Sequence, residues 1–250
     1  MKNTLILIVV GICIAALPVP AQQAGGYSFI QTVKTGNVEM VQLLLSSPST
    51  NVNEQDEDGL SGLMVAAITG DSTMAELLVA AGTNPDLKAK GGMTALHAAA
   101  YNMNDKIIPI LLRAGANPNV YDSAGRTPLM VAAKQGVTNS VTYLVEGGAY
   151  LEMRDLNGYT ALMISCGERH LNIMDELLEK GADPNARDAF GRTPLMLVAV
   201  LGEDEMVKIL LRYKADPRLY DFGARTALTY AREHYRKMVI KVLTDAGVKY

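Results

Sequence analysis

One twelve-residue pattern recurs along the chain at a fixed interval. Its clearest copy runs from Asp122 to Ala133 and reads DSAGRTPLMVAA. When the copies are aligned on the threonine of this pattern, each lies 33 residues from the next; the aligned positions are Ser61, Thr94, Thr127, Thr160, Thr193 and Thr226. A period of this length is typical of stacked repeat architectures, in which each unit buries its apolar face against its neighbours.

The residues of the repeat predict a turn followed by two helices. Asp-x-x-Gly predicts the turn, because Asp can accept hydrogen bonds from its own backbone and Gly adopts positive φ without steric cost. The threonine fits a helix N-cap, and proline, where present, fits the first helical position. A second apolar stripe with amphipathic spacing, such as Ile108, Leu111 and Leu112, predicts a second helix in each unit. Glycines just past this stripe fit left-handed helix ends; they are Gly82, Gly115, Gly148, Gly181 and Gly247.

A turn plus two short antiparallel helices at this period resembles the ankyrin repeat. The resemblance covers Tyr27 to Tyr250. It implies an all-α solenoid of about seven repeats, with β-hairpin-like turns and first helices lining a concave face and second helices forming the convex back. We expect five regular repeats at 56–88, 89–121, 122–154, 155–187 and 188–220, between an N-terminal cap repeat at 27–55 and a C-terminal cap repeat at 221–250.

The N-terminal segment differs from the repeats. Lys2 precedes an apolar run from Leu5 to Leu17, and Val19 and Ala21 then fit the small-residue pattern of a signal-peptidase site. We therefore expect a signal peptide at 1–21, a linker at 22–26 and an exported product, periplasmic or secreted, with a signal of bacterial style. The alternative is an uncleaved inner-membrane anchor, although the run is shorter than the roughly 20 residues that a bilayer span needs. No stable membrane insertion is expected after cleavage.

Charge and cysteine content exclude some classes of protein. The net charge of −3 and the pI near 5.7 argue against a general nucleic-acid binder. After signal removal Cys166 is the only cysteine, so no intramolecular disulfide can form. We expect a monomer that is stabilised by packing.

No catalytic constellation is visible, and we expect neither an enzyme nor a cofactor or metal site. The three histidines lie in different repeats, and the chain lacks a phosphate-binding glycine loop and a nucleophile elbow. His97 occupies the histidine position of the ankyrin pattern, where a structural hydrogen-bonding role is expected. Cys166 replaces the second alanine of its repeat, which favours a buried small side chain over a reactive thiol.

Methionines at equivalent positions raise an alternative function. Four of them share the position of His97 in other repeats; they are Met64, Met130, Met163 and Met196. Thioethers in an exported protein suggest handling of a soft metal such as Cu(I), or of a small ligand. Equivalent residues in adjacent repeats are about 8 to 10 Å apart, too far for two sulfurs to share one ion, so core filling is the preferred interpretation.

The resemblance also implies which residues meet a partner. In ankyrin proteins these are the turn-tip residues, the residue between Gly and Thr, the two after the alanine pair and the residue before Asp. Carried onto this sequence, they predict a partner-binding set of Lys88, Lys90, Tyr101, Tyr121, Arg126, Lys134, Arg154, Tyr159, Arg187, Phe190, Arg192 and Tyr220.

This set predicts a basic, aromatic groove for an acidic segment or patch of another protein. Seven of these residues are basic, and the only acid that the same positions supply between Lys88 and Arg192 is Glu168. Tyr and Arg are also the residue types that dominate interface hot spots. The alternative is that Arg and Tyr simply cover apolar parts of neighbouring repeats. Two repeats depart from the pattern. In one, Ala89 replaces the turn aspartate and Met103 the helix-ending glycine; in the other, that glycine is moved to Gly167, which shifts the assignment of Glu168 by a residue or so.

Overall fold

A computed structural model of the protein describes residues 28–247. The predicted signal peptide, the linker, Tyr27 and residues 248–250 lie outside this range. Within it, fourteen α-helices form seven consecutive pairs, one pair for each predicted repeat. The helices are α1 (Phe29–Lys34), α2 (Val38–Leu45), α3 (Gly62–Thr69), α4 (Ser72–Ala80), α5 (Ala95–Tyr101), α6 (Ile107–Arg113), α7 (Pro128–Gln135), α8 (Thr138–Glu146), α9 (Ala161–Gly167), α10 (Leu171–Glu179), α11 (Pro194–Leu201), α12 (Asp204–Arg212), α13 (Ala227–Glu233) and α14 (Lys237–Asp245).

The first helix of repeats 2 to 7 begins directly after the aligned serine or threonine. Each of these residues is the N-cap of its helix and has an extended backbone. The Thr127 hydroxyl, for example, accepts a hydrogen bond from the Met130 N–H at 3.3 Å. Loss of such a cap costs about 1 kcal/mol. The repeated residue therefore determines where six helices start.

Two layers of helices carry the core. The first helices stack directly on one another from α1 to α13, and the second helices form the other layer, with contacts such as α4 to α6 and α12 to α14. The paired alanines of the first helices, such as Ala132 and Ala133, are fully buried. Their small side chains let neighbouring helices approach closely. None of the helices in residues 28–247 is long and apolar enough to cross a membrane.

The ends of the first helices alternate between two forms. Helices α3, α7 and α11 have eight residues and end at a left-handed glycine, Gly70, Gly136 or Gly202. Helices α5, α9 and α13 have seven residues, and a non-glycine residue takes the left-handed conformation two positions later; these residues are Met103, Arg169 and Tyr235. The structure thus has a 66-residue superperiod within the 33-residue repeat.

A side chain from the next repeat explains why glycine is needed at every second helix end. A Cβ at Gly136 would lie 2.7 Å from the His170 ring, and a Cβ at Gly202 would lie 2.8 Å from the Arg236 side chain. These side chains hydrogen-bond to the last carbonyls of the preceding first helix: His170 to that of Lys134 at 3.1 Å, and Arg236 to that of Val200 at 2.8 Å. Glycine therefore makes room for a link between repeats.

Candidate partner-binding face

The turns between repeats form a row of aligned fingers. In each regular finger one carboxylate oxygen of the aspartate accepts two backbone hydrogen bonds; Asp188, for example, accepts from Phe190 at 2.9 Å and Arg192 at 2.8 Å. Neighbouring fingers are also joined, as by the Phe222 N–H, which donates to the Phe190 carbonyl at 3.0 Å. We call the surface formed by these fingers and the exposed sides of the first helices the finger face. Its side chains are thus held on a braced backbone.

The two departures in the sequence pattern do not disrupt this face. The finger at Ala89 keeps its closing bonds, because Gly91 and Gly92 both adopt left-handed backbone and Ala89 still pairs with Met93 at 2.9 Å. The interpretation of Gly167 as a displaced helix-ending glycine was wrong. Helix α9 continues through Gly167, and Arg169 takes the left-handed position instead. Glu168 therefore keeps the register of the other repeats.

Arginines between Gly and Thr brace the fingers. Arg126 donates through Nε to Asp122 at 2.9 Å, and Arg192 donates to Asp188 at 2.7 Å. Both aspartates are buried. Burial lowers the pKa of the Arg192 guanidinium, but its bond to Asp188 and the charge of Asp188 outweigh burial and raise that pKa above the ordinary value. These two predicted site residues consequently add little net charge to the face.

Two predicted lysines also face carboxylates. Lys90 lies 3.1 Å from Asp58, and Lys134 lies 4.0 Å from Glu168. Both pairs are exposed to solvent, where an ion pair is weak and easily exchanged for a partner's charge. Unpaired positive charge on the finger face is therefore confined to fewer positions than the seven predicted basic residues.

Uncompensated positive charge lies in the row of residues that precede the turn aspartates. Among the described residues, Lys88, Arg154 and Arg187 have no carboxylate within 4.0 Å. Arg187 donates through Nη1 to the carbonyl of Tyr220 at 3.0 Å, and Arg154 donates in the same way to the carbonyl of Arg187. We call Lys88, Tyr121, Arg154, Arg187 and Tyr220 the basic row. Its two arginines are oriented by backbone carbonyls, through hydrogen bonds that lie at the exposed surface.

Aromatic side chains accompany this row. Tyr101, Tyr121, Phe190 and Tyr220 are exposed, as predicted for contact residues. Tyr159 is partly buried, and its hydroxyl accepts a hydrogen bond from Arg192 at 2.6 Å. The Arg192 guanidinium lies 5.0 Å from the centroid of the Phe190 ring, within the range of a cation–π contact. The contacts of Arg192 with Tyr159 and Phe190 were not predicted from the sequence.

A cavity of about 350 Å³ lies on the finger face between α7, α9 and α11. Three predicted site residues, Arg126, Lys134 and Tyr159, are among its lining residues. The repeat pattern did not predict a cavity here; the residue that could have indicated it is Gly167. It stands where repeats 2, 3, 4 and 6 carry Ile68, Tyr101, Lys134 and Val200.

The residues assigned to structural roles are buried. Burial lowers the pKa of His97, whose Nε2 lies 2.9 Å from the Arg126 carbonyl and therefore carries the proton, while Nδ1 accepts from Thr94. Burial raises the pKa of the Cys166 thiol. The four aligned methionines are each 1% exposed, so their sulfurs fill the core. No group of three or more His, Cys, Asp or Glu side chains that could hold a metal occurs in residues 28–247.

Comparison with known proteins agrees with the repeat architecture. The family described as "Ankyrin repeats (3 copies)" matches residues 29–122, 104–188 and 184–250. The chain belongs to the ankyrin repeat family. Among solved structures, it is similar to the ankyrin repeat domain of Bcl-3, described as a unique member of the IkappaB protein family. The two share 26% identity and a TM-score of 0.81, over 88% of this chain and 99% of that one. No curated protein matches the sequence.

Membership confirms the predicted solenoid and gives its general role. Ankyrin repeats are generally protein–protein interaction modules, and the fold is typically a non-enzymatic scaffold. The buried threonines, alanines and His97 of this ankyrin domain are needed for the scaffold itself. Residues of the finger face are not, and they are therefore the candidates for individual recognition.

Proposed function

We propose that this ankyrin repeat protein is a non-catalytic binding module that holds an acidic, extended segment of another protein on its finger face. The observation that carries the proposal is the pair Arg154 and Arg187, which have no carboxylate partner among the described residues yet are fixed to backbone carbonyls. A guanidinium fixed in this way loses less side-chain entropy on binding a carboxylate.

The spacing of the basic row fits an extended ligand. Packed helices lie about 8 to 10 Å apart, so equivalent side chains of adjacent repeats have about this separation. An extended chain advances about 3.3 Å per residue, and three residues therefore span one repeat. Acidic residues at positions i and i+3 of the ligand would meet Arg154 and Arg187, and Tyr121 and Tyr220 would flank them.

The cellular location and the oligomeric state are also part of the proposal. The apolar run and small residues before Gln22 support export to the periplasm or the exterior of a bacterial cell. We propose that the exported form acts as a monomer and does not bind nucleic acid. Inhibition, assembly and scaffolding are all compatible with a single binding face.

The experiment compares the capture of proteins from envelope extract by residues 22–250 and by Arg154→Gln/Arg187→Gln. Gln55 already bonds the Lys88 carbonyl at 3.1 Å in the same geometry, so glutamine removes the charge and keeps a donor. Arg113→Gln/Lys180→Gln removes two charges from the ends of α6 and α10 as a matched control. A partner retained by the wild type and control, lost with the row variant, and released by salt supports the proposal. Equal retention by all three proteins refutes it.

A further inference from the structure

The cavity on the finger face exists because one repeat lacks a side chain. At the last position of α9, Gly167 has helical backbone, and a Cβ placed there would meet no atom within 4 Å. The equivalent residue in repeat 3 is Tyr101, and in repeat 4 it is Lys134. The missing side chain opens the cavity in the middle of the row of first helices.

The chemistry of the cavity favours an uncharged occupant. Met130, Met163, Ile164 and Leu197 supply apolar lining. Three of its polar lining side chains have partners: Arg126 pairs with Asp122, Lys134 faces Glu168, and the Tyr159 hydroxyl accepts from Arg192. Asp155 and Glu168 also line the cavity, and their negative charges disfavour an acidic group inside it.

The cavity adjoins the basic row. Arg154 directly precedes Asp155, which lies on the cavity wall. A ligand segment that follows Arg154 and Arg187 therefore passes the mouth of the cavity. Buried aromatic and aliphatic anchors surrounded by polar contacts are the usual energetic centre of a protein interface.

We infer that this cavity binds one bulky apolar side chain, phenylalanine or leucine, from the acidic segment of the partner, an inference that rests on the function proposed above. The basic row selects the acidic residues, and the cavity selects the register of the segment. The partner motif is then a single large apolar residue flanked by acids, rather than a continuous acidic run.

The cavity is tested with small probes, without knowledge of the partner. N-acetyl-phenylalaninamide is titrated against residues 22–250 labelled with ¹³C at the methionine methyl groups, and N-acetyl-alaninamide is the reference probe. We expect saturable shifts of the Met130 and Met163 methyl signals with the phenylalanine probe alone, at a dissociation constant of order 1 mM, as is reasonable for a ligand of this size. Shifts that are equal for both probes overturn the inference.

Gly167→Tyr is the decisive variant, because Tyr101 shows that the equivalent position of repeat 3 accepts tyrosine. It fills the cavity and is expected to abolish the shifts. Ile68→Tyr places the same side chain at the equivalent position of repeat 2, away from the cavity, and is expected to leave them unchanged. Persistent shifts in Gly167→Tyr, with a native circular dichroism spectrum, overturn the inference.

Capture of the partner separates this inference from the proposed function. If both hold, Gly167→Tyr lowers retention at least tenfold and Ile68→Tyr does not. Retention by Gly167→Tyr together with loss in Arg154→Gln/Arg187→Gln rejects the apolar anchor and keeps the basic row. Retention that is unaffected in the row variant but lost in Gly167→Tyr rejects the acidic-segment function and keeps the cavity as the anchor site.

Discussion

Replacing Asp188 by Asn tests whether the fingers depend on charge or only on shape. Asparagine keeps the oxygen that accepts the Phe190 and Arg192 backbone bonds, at 2.9 and 2.8 Å. The second carboxylate oxygen, which accepts from Arg192 Nε at 2.7 Å, becomes an amide donor facing another donor. The substitution therefore removes one charge-assisted bond and preserves the turn.

Burial sets the size of the effect. The Asp188 side chain is fully buried, and that of Arg192 is 26% exposed. A hydrogen bond to a charged group contributes about 1.5 to 3 kcal/mol, and breaking a fully buried ion pair costs about 3 to 5 kcal/mol. Because Arg192 keeps access to water and its contact with Tyr159, we expect a loss of about 2 to 3 kcal/mol. For a chain of this length, that lowers the melting temperature by about 4 to 12 °C.

Asp58→Asn is the matched control. Its ion pair with Lys90 is 3.1 Å long, but the two side chains are 66% and 72% exposed, so we expect a change of at most about 0.5 kcal/mol. Urea unfolding and thermal melts of both variants give the comparison. Equal effects of the two substitutions would refute the conclusion that the arginine bonds brace the fingers.

Three further substitutions probe individual buried groups. His97→Met copies four other repeats but loses the bond to the Arg126 carbonyl, so we expect a loss of about 1 to 2 kcal/mol at pH 7.5. Burial holds the His97 pKa below 6.5, so the stability that the neutral ring contributes is complete above about pH 6.5 and falls as the pH drops. Between pH 7.5 and pH 5.0, we expect the melting temperature to decrease less in the variant than in the wild type. Burial raises the pKa of Asp221, but the hydrogen bonds from Arg225 and Tyr230 outweigh burial and lower that pKa to about 2. The stability that ionised Asp221 contributes is therefore present above about pH 4 and lost between pH 4 and 2. In Asp221→Asn, we expect the melting temperature to change less with pH in that window. Ser140→Ala removes a buried hydroxyl that has no hydrogen-bond partner among residues 28–247, so we expect it to stabilise the protein by about 1 kcal/mol in urea unfolding. A destabilised variant would contradict this expectation.

Local patterns predicted the repeat scaffold well, because its determinants lie close together in sequence. The N-cap Thr127 bonds a residue three positions later, and Asp122 bonds residues two and four positions later. Similar contacts recur at intervals of 33 residues in most of the repeats, so the copies support one another. The same regularity identified the face on which Arg154, Arg187 and Tyr220 lie.

Side-chain packing, within and between repeats, explains what the sequence could not predict. Arg126 and Arg192 were predicted to contribute positive charge to the face, but each bonds a buried aspartate of its own turn. These bonds depend on side-chain rotamers. The 66-residue alternation was present in the spacing of Gly70, Gly136 and Gly202, but its reason is a side chain from the next repeat. The alternation depends on close packing between repeats, and the spacing of residues along the sequence does not reveal that packing.

The sequence by itself determined the number of repeats and the start of the first helix in repeats 2 to 7, because these follow from local hydrogen bonding and apolar periodicity. Only the tertiary structure decided which cations are paired and which are available, and that the absence of a side chain at Gly167 produces a cavity beside Arg154. Both depend on how side chains pack in three dimensions: the rotamers pair Arg126 and Arg192 with aspartates of their own turns, and the cavity needs the helices of three repeats around it.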